Sequence, residues 1–292
     1  MIGAAKATIV WNNKKMKRTL YVTDLDGTLM KNDKSISDNS IKTINELIKN
    51  GLAFTYATAR SVVSSSEITN GINFTLPVIT RNGTALSNNH DATEIDVEIF
   101  EEDEVNFIRK IVAKYDLAGI VTSFINGKES KNYMRGYRFE SEGFRSYLEE
   151  HSDDKRMRQV FREEDLYEGE VFYFAYIDDK MVLDPLYEEL VKDARYNIVY
   201  QKDNYRPEYW MEICPKNASK AKAIKKLMKM HSFDKLIVFG DSLNDISMFE
   251  MADEGYAVEN ACNELKQIAT NIIKSNEEDG VAAFLKSNYV NS

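Results

Sequence analysis

Leu20-Tyr21-Val22 is an apolar run, partly β-branched and aromatic, that leads without polar alternation into Asp24-Leu25-Asp26-Gly27-Thr28-Leu29. A run of this kind suits a strand buried on both faces, and such strands belong to parallel sheets covered by helices. Gly27 and Thr28 supply a turn, so two carboxylates sit at the C-terminal end of the strand, where open α/β sheets build their sites. An isolated Asp-x-Asp pair is usually a solvated turn. At the end of a buried strand, with Gly-Thr behind it, the pair points to phosphoryl-transfer chemistry.

The texture around this strand repeats. Ser37-Asp38-Asn39 offers caps for a helix over residues 40–50, with Ile41, Ile44, Leu47 and Ile48 on one face and Gly51 placed to end it. Residues 52–57 and 77–80 read as further strands, a helix starts near Ser61, and Asn82-Gly83 closes the third strand with a turn. Strand–helix–strand spacing of this kind implies parallel βαβ units. Beyond Thr84 the pattern changes. Helices over 101–115, 141–151 and 184–194 separate strand-like runs at 119–125, 171–177 and 197–201, as in an α+β domain. The βα alternation returns with a strand at 209–213, a helix over 219–230 and a strand at 236–239. The expectation is an α/β protein: a Rossmann-like, doubly wound parallel-sheet core built from 1–84 and 206–292, interrupted by an α+β cap over 85–205.

Composition narrows the class. The 292 residues are 43% hydrophobic and 29% charged, as in an ordinary globular protein with room for a large core. A net charge of −9 argues against a nucleic-acid surface, yet leaves open a small site made locally positive by a cation. Cys214 and Cys262 read as reduced, half-buried residues. No apolar run reaches the roughly 18 residues needed to span a bilayer. In residues 1–18 the basic side chains mostly follow the apolar piece Ala7-Thr8-Ile9-Val10-Trp11, the reverse of a secretory signal, so a cytoplasmic location is expected.

A second motif, Gly240-Asp241-Ser242-Leu243-Asn244-Asp245, also ends an apolar strand. Two carboxylates and an amide this close could hold Mg²⁺ and phosphate oxygens, or could simply cap a helix. Thr58 ends another strand, and Lys220 stands in the first turn of a helix, where a cation opposes the dipole unless an anion is bound there.

Together these pieces resemble the haloacid dehalogenase (HAD) superfamily, in its Cof-type sugar-phosphatase branch with a C2B-type cap. The resemblance runs from about Arg18 onward. It is carried by residues 24–29, Ala57-Thr58-Ala59-Arg60, Arg81-Asn82-Gly83, Lys220, residues 240–245, Glu259-Asn260-Ala261 and Glu277-Glu278-Asp279-Gly280-Val281. It implies that Asp24 attacks phosphorus, forming an aspartyl-phosphate, and that Asp26 protonates the leaving group and then activates water. It also implies Mg²⁺ held by Asp24, the Asp26 carbonyl and Asp241. Thr58, the Ala59 amide, Lys220 and Asn244 would hold the phosphoryl oxygens, with Asp245 orienting Lys220 or a metal-bound water. Ala59 and Ala221 stand where this family usually has Gly, a change that bears on substrate fit rather than on a catalytic group.

The implied activity is a Mg²⁺-dependent phosphatase of small phosphorylated metabolites, such as sugar phosphates, without nucleic-acid or membrane partners and as a monomer or weak homodimer. A hexose phosphomutase and a non-catalytic sensor of phosphorylated metabolites are the alternatives. In the cap, Tyr133, Arg135 and Arg138 are candidates for substrate contact, set against a reading as solvated loop residues. Lys155, Arg156, Arg158 and Arg162 read as a solvated helix face, Phe172, Phe174 and Tyr176 as one sheet face, and Trp11 and Trp210 as packing groups.

Overall fold

The structure is a computed structural model and describes residues 18–136, 138–203 and 206–289. Trp11 and most of the N-terminal extension lie outside the described residues. The chain opens with β1 (Thr19–Thr23), α1 (Asp38–Lys49), β2 (Ala53–Tyr56), α2 (Val62–Ile68) and β3 (Val78–Thr80). A hairpin follows, β4 (Ala85–Asn88) and β5 (Thr93–Val97). The next stretch holds α3 (Glu102–Tyr115), β6 (Ile120–Ile125), β7 (Lys128–Tyr133), α4 (Glu142–Glu150) and β8 (Met157–Gln159). It continues through α5 (Glu163–Leu166), β9 (Glu170–Asp178), α6 (Lys180–Leu190), β10 (Tyr196–Lys202) and β11 (Tyr209–Pro215). The chain then passes through α7 (Lys220–His231), β12 (Lys235–Gly240), α8 (Ile246–Met251) and β13 (Glu254–Val258). It closes with α9 (Asn263–Ile268), β14 (Asn271–Ile273) and α10 (Gly280–Asn288).

The core is a parallel sheet in the order β14-β13-β12-β1-β2, the doubly wound arrangement that the apolar runs require. Ile44 of α1, Leu285 of α10, Ile224 and Leu227 of α7 and Met248 of α8 share one apolar cluster with the strands. Removing this much apolar surface from water is the main stabilising term, at about 25 cal/mol per Å². The chain leaves β1 towards β2 on one side, while β12 and its successors lie on the other. The crevice between β1 and β12 is therefore the switch point where such sheets bind ligands. A parallel bridge between Ala57 and Ile79 attaches the antiparallel β3-β4-β5 sheet to this core.

The inserted α+β cap is a six-stranded, largely antiparallel sheet in the order β10-β11-β9-β6-β7-β8. One of its faces packs on Ile108 of α3 and Leu183 of α6, and the other carries α4 through Phe144 and Leu148.

Several expectations need correction. Residues 209–213 do not return to the parallel sheet, because β11 lies between β10 and β9 in the cap. Its alternation is the reason: Met211 and Ile213 enter one apolar cluster, while Trp210 and Cys214 join the other. The hairpin β4-β5, expected in the cap, hangs instead on the core strand β3. We therefore propose that the insertion runs over 99–215 rather than 85–205. Phe172 does not share a face with Phe174 and Tyr176. A register shift opposite Thr122 and Ser123 inserts one extra residue in β9, so Phe172 joins Tyr173 on the α4 face while Phe174 and Tyr176 stay on the other. Residues 155–162 form no helix: Met157–Gln159 is an edge strand parallel to β7. Helix α6 begins at Lys180, four residues before the expected start, and takes Pro185 into its interior. Cys214 is fully buried and Cys262 half-buried, both as free thiols.

Candidate active site

Pairing of β1 with β12 in parallel register sets Thr23 beside Phe239, and the Asp24 amide donates to the Phe239 carbonyl at 2.9 Å. Both motif aspartates thus leave the sheet at the same edge. The turn after β1 needs Gly27 for two reasons. Its φ is +78°, and a Cβ there would lie 2.4 Å from Asp241 Oδ2, so only glycine lets the second motif close against the first. Thr28 Oγ1 donates to Asp241 Oδ1 at 3.2 Å and holds the approach.

Lys220, the first residue of α7, is 2% exposed and donates to Asp24 Oδ1 and to Asp245 Oδ1, each at 2.6 Å. Two carboxylates around one ammonium keep Lys220 charged, its pKa driven up against the opposing effect of burial. Asp245 is fully used: its Oδ2 accepts from the Asp241 and Ser242 amides at 3.0 and 3.1 Å. It therefore fixes Lys220 and the second motif's turn, leaving Asp24 and Asp241 facing each other.

One oxygen each of Asp24, Asp241 and Asp245 lies within 4.8 Å of the others. Burial pushes the Asp24 carboxyl well up, Lys220 pulls it back, and Asp245, Asp241 and Asp26 push it up again. Asp241 is pushed up to about 7, by burial first and then by Asp245. Two buried carboxylates and the half-buried Asp241 against one ammonium leave a surplus of negative charge, and hard carboxylate oxygens in that setting fit a divalent cation such as Mg²⁺.

Thr58 is buried at the end of β2, with its amide bonded to the Ile79 carbonyl and its hydroxyl accepting from the Arg60 amide at 3.2 Å. Ala59 and Asn244 line the crevice above Asp24, and Ala221 is half-buried on α7. Asp26 is gripped on both oxygens by Arg60, at 2.5 and 2.7 Å.

The crevice between core and cap has a volume of about 300 Å³. Core residues Asp24, Asp26, Arg60 and Arg81 form its floor; Tyr173, Trp210, Lys131 and Arg156 face them from the cap. The three cap candidates are not brought to this crevice. Tyr133 packs in the α4-side cluster, Arg135 pairs with Glu140, and Arg138 pairs with Glu163. Of the cationic groups that do face it, Arg156 comes from the stretch expected to be solvated, whereas Lys131 stands on β7. Arg156 binds Asp154 at 2.7 Å and Glu129 at 3.2 Å, and Lys131 binds Asp154 at 3.1 Å. Trp210 both packs edge-on against Tyr147, at 5.3 Å between ring centroids, and lines the crevice.

Arg60 and Arg81, legible in the sequence only as parts of their motifs, and Glu212, legible only as part of a strand, also belong to the site. Arg81 and Asn82 are both left-handed, at φ 50° and 53°, and both buried. Arg81 lies over the Phe172 and Tyr173 rings and pairs with Glu129 of the cap. Glu212, 7% exposed in the apolar strand β11, accepts from the Asn82 side chain and is pushed up to about 7 by burial. A lone carboxylate between Met211 and Ile213 was its visible signal, because a buried charge needs a partner.

Residues 21–285 match the model of the haloacid dehalogenase-like hydrolase family. The chain is 27% identical over 282 residues to the 5-amino-6-(5-phospho-D-ribitylamino)uracil phosphatase YitU of Bacillus subtilis, covering 92% of this chain and 97% of that protein. It is 24% identical over 269 residues to a second phosphatase of that name from the same organism, YcsE, covering 91% and 94%. Among solved structures, TM0651 from Thermotoga maritima superposes with a TM-score of 0.73 at 26% identity, over 94% of this chain and 98% of that one. The HAD subclass IIB sugar phosphatase BT4131 shares the fold, with a TM-score of 0.71 at 20% identity over 92% and 98%. The chain belongs to the haloacid dehalogenase-like hydrolase family. No helix among the described residues is long and apolar enough to cross a membrane.

Proposed function

We propose that the protein hydrolyses small phosphorylated metabolites, sugar or polyol phosphates foremost, with Mg²⁺ bound and Asp24 as the nucleophile. The observation that carries this reading is the buried Asp24–Lys220–Asp245 array, with Asp241 beside it, at the base of the crevice. The two relatives named for a phosphorylated ribityl chain support a polyol phosphate as the substrate class.

In the first half, an Asp24 oxygen bonds to phosphorus as the ester P–O bond breaks, and Asp26 gives its proton to the departing oxygen. In the second half, Asp26 takes a proton from water, whose oxygen bonds to phosphorus as the Asp24–phosphorus bond breaks. Phosphate leaves, and both carboxyls return to their starting states. Lys220, Thr58, the Ala59 amide and Asn244 hold the phosphoryl oxygens. Arg60 holds both Asp26 oxygens, so substrate entry has to loosen that pair before Asp26 can reach the departing oxygen.

Asp24 and Asp241, with the Asp26 carbonyl, would hold Mg²⁺, which when bound neutralises charge on the anionic ester. Because the cation relieves repulsion present only in the folded protein, saturating Mg²⁺ should raise the thermal midpoint by several degrees, about what ~2–3 kcal/mol of linkage gives. Asp241→Asn should remove most of that shift, and an undiminished shift would place the cation elsewhere. The activity itself is tested by phosphate release from an aryl phosphate, expected with Mg²⁺ and absent with excess EDTA. Turnover indifferent to EDTA would contradict the reading. A panel of phosphorylated sugars and polyols, ranked by kcat/KM, then tests the substrate class.

A further inference from the structure

We propose that Glu212, a residue of the cap sheet, is a positioning residue for the phosphate site: acting through Asn82, it fixes which way round the Asn244 amide is held. The proposal rests on Asn244 as a holder of phosphoryl oxygens. Asn244 Nδ2 donates to Asn82 Oδ1 at 3.2 Å, and Asn82 Nδ2 donates to Glu212 Oε2. At its other end Asn244 Oδ1 accepts from Ser242 Oγ at 2.7 Å.

The polarity of this chain has one source. A primary amide can offer either its oxygen or its nitrogen to a neighbour, and the choice is decided by the partners. An ionised carboxylate can only accept, so Glu212 obliges Asn82 to turn its nitrogen towards the cap and its oxygen towards Asn244. Asn244 must then donate to that oxygen, which leaves its second N–H for an anion in the crevice that it lines. With the polarity reversed, Asn244 would present a carbonyl oxygen to a phosphoryl oxygen, and the contact would be repulsive.

The surroundings hold the chain in place. Asn82 is 2% exposed and left-handed, and the following Gly83 packs on the start of α7: a Cβ there would lie 2.2 Å from the Ser219 carbonyl and 2.6 Å from the Lys220 amide. The groups facing Glu212 are Tyr173 on β9, Arg81 after β3 and Lys220 on α7. Glu212 belongs to the cap and Asn82 and Asn244 to the core, so seating of the cap and readiness of the phosphate site are joined by two hydrogen bonds.

The test is a double-mutant cycle at pH 8, where Glu212 is ionised, on the full-length protein with Mg²⁺ and p-nitrophenyl phosphate. Wild type, Glu212→Gln, Asn244→Ala and the double variant are compared by kcat/KM and by the inhibition constant of inorganic phosphate. Glu212→Gln keeps the shape but lets the amide chain run either way. It should lower kcat/KM and weaken phosphate binding by about tenfold, the scale of one reversed hydrogen bond to a charged group. In the Asn244→Ala background the same change should cost ~2-fold at most, because the group it acts through is gone. A tenfold loss that persists without Asn244, or no loss in the wild-type background, overturns the proposal. If Glu212→Gln fails to fold, Asn82→Ala carries the same cycle with the same expected masking. An Asn244→Ala variant with unchanged phosphate affinity and kcat/KM would sink the phosphate-site reading as well, which separates the two failures.

Discussion

Replacing Asp24 by Asn should lower kcat for any phosphate ester by roughly 10⁴-fold or more, as when the nucleophile of a concerted catalytic set is lost. The amide matches the carboxylate in shape, but its nitrogen cannot attack and its oxygen carries no charge. The fold should survive. Asp24 is 4% exposed and its raised pKa shows that its charge is held at a cost, so neutralising it should leave the protein as stable or slightly more so in EDTA. Steady-state kinetics with a denaturation midpoint on the same preparation check both halves. Retained turnover would mean that another group attacks phosphorus.

Lys220→Met should be severe in both respects. It removes the ammonium from between Asp24 and Asp245, leaving buried carboxylates to repel one another at close range. Breaking one side of such a buried set costs about 3–5 kcal/mol, and losing a preorganised donor to the phosphoryl oxygens costs about 10²–10³-fold in kcat. The stability deficit should depend on pH with a definite sign. A carboxyl whose folded pKa stands above its unfolded one stabilises the fold while protonated, and that contribution is lost as pH rises through the folded value. Burial already raises Asp24, and pushes Asp241 up to about 7. Without Lys220 the penalty in EDTA should therefore grow from about pH 4, the unfolded value, through pH 7. Urea midpoints measured across that range test it. A deficit that shrinks with rising pH would show that Lys220 does not balance these acids.

The core was legible because its cause is local. Residues 20–22 and 236–239 are apolar runs, each ending in a motif of carboxylates, and parallel pairing sets those ends side by side. Lys220 could be singled out because a cation in a helix's first turn needs an anion. The cap was read less well because its logic is long-range. The pairing of Arg81 with Glu129 joins residues far apart in sequence, and no local pattern announces it. Arg156 looked like one charge in a solvated run until Asp154 and Glu129 were seen around it. The bulge in β9 moved Phe172 to the other face, an error of one residue that period-two reasoning cannot detect. Residues 209–213 were misplaced for a subtler reason: a strand reads alike in either sheet unless its alternation is weighed. The signal was the carboxylate of Glu212 between two core residues.

Catalysis by Asp24 as nucleophile requires a covalent bond between Asp24 and phosphorus. Acetate departs from acetyl phosphate without protonation, whereas hydrolysis of the enzyme-bound phosphoryl group needs a base, so the Asp26→Asn variant should form that bond and fail to release it. Mixing this variant with acetyl phosphate and Mg²⁺, quenching in acid and mapping the peptides should place about one phosphoryl group per chain on the peptide that contains Asp24. Steady release of phosphate with none on that peptide, or a phosphoryl group on a different residue, would contradict it.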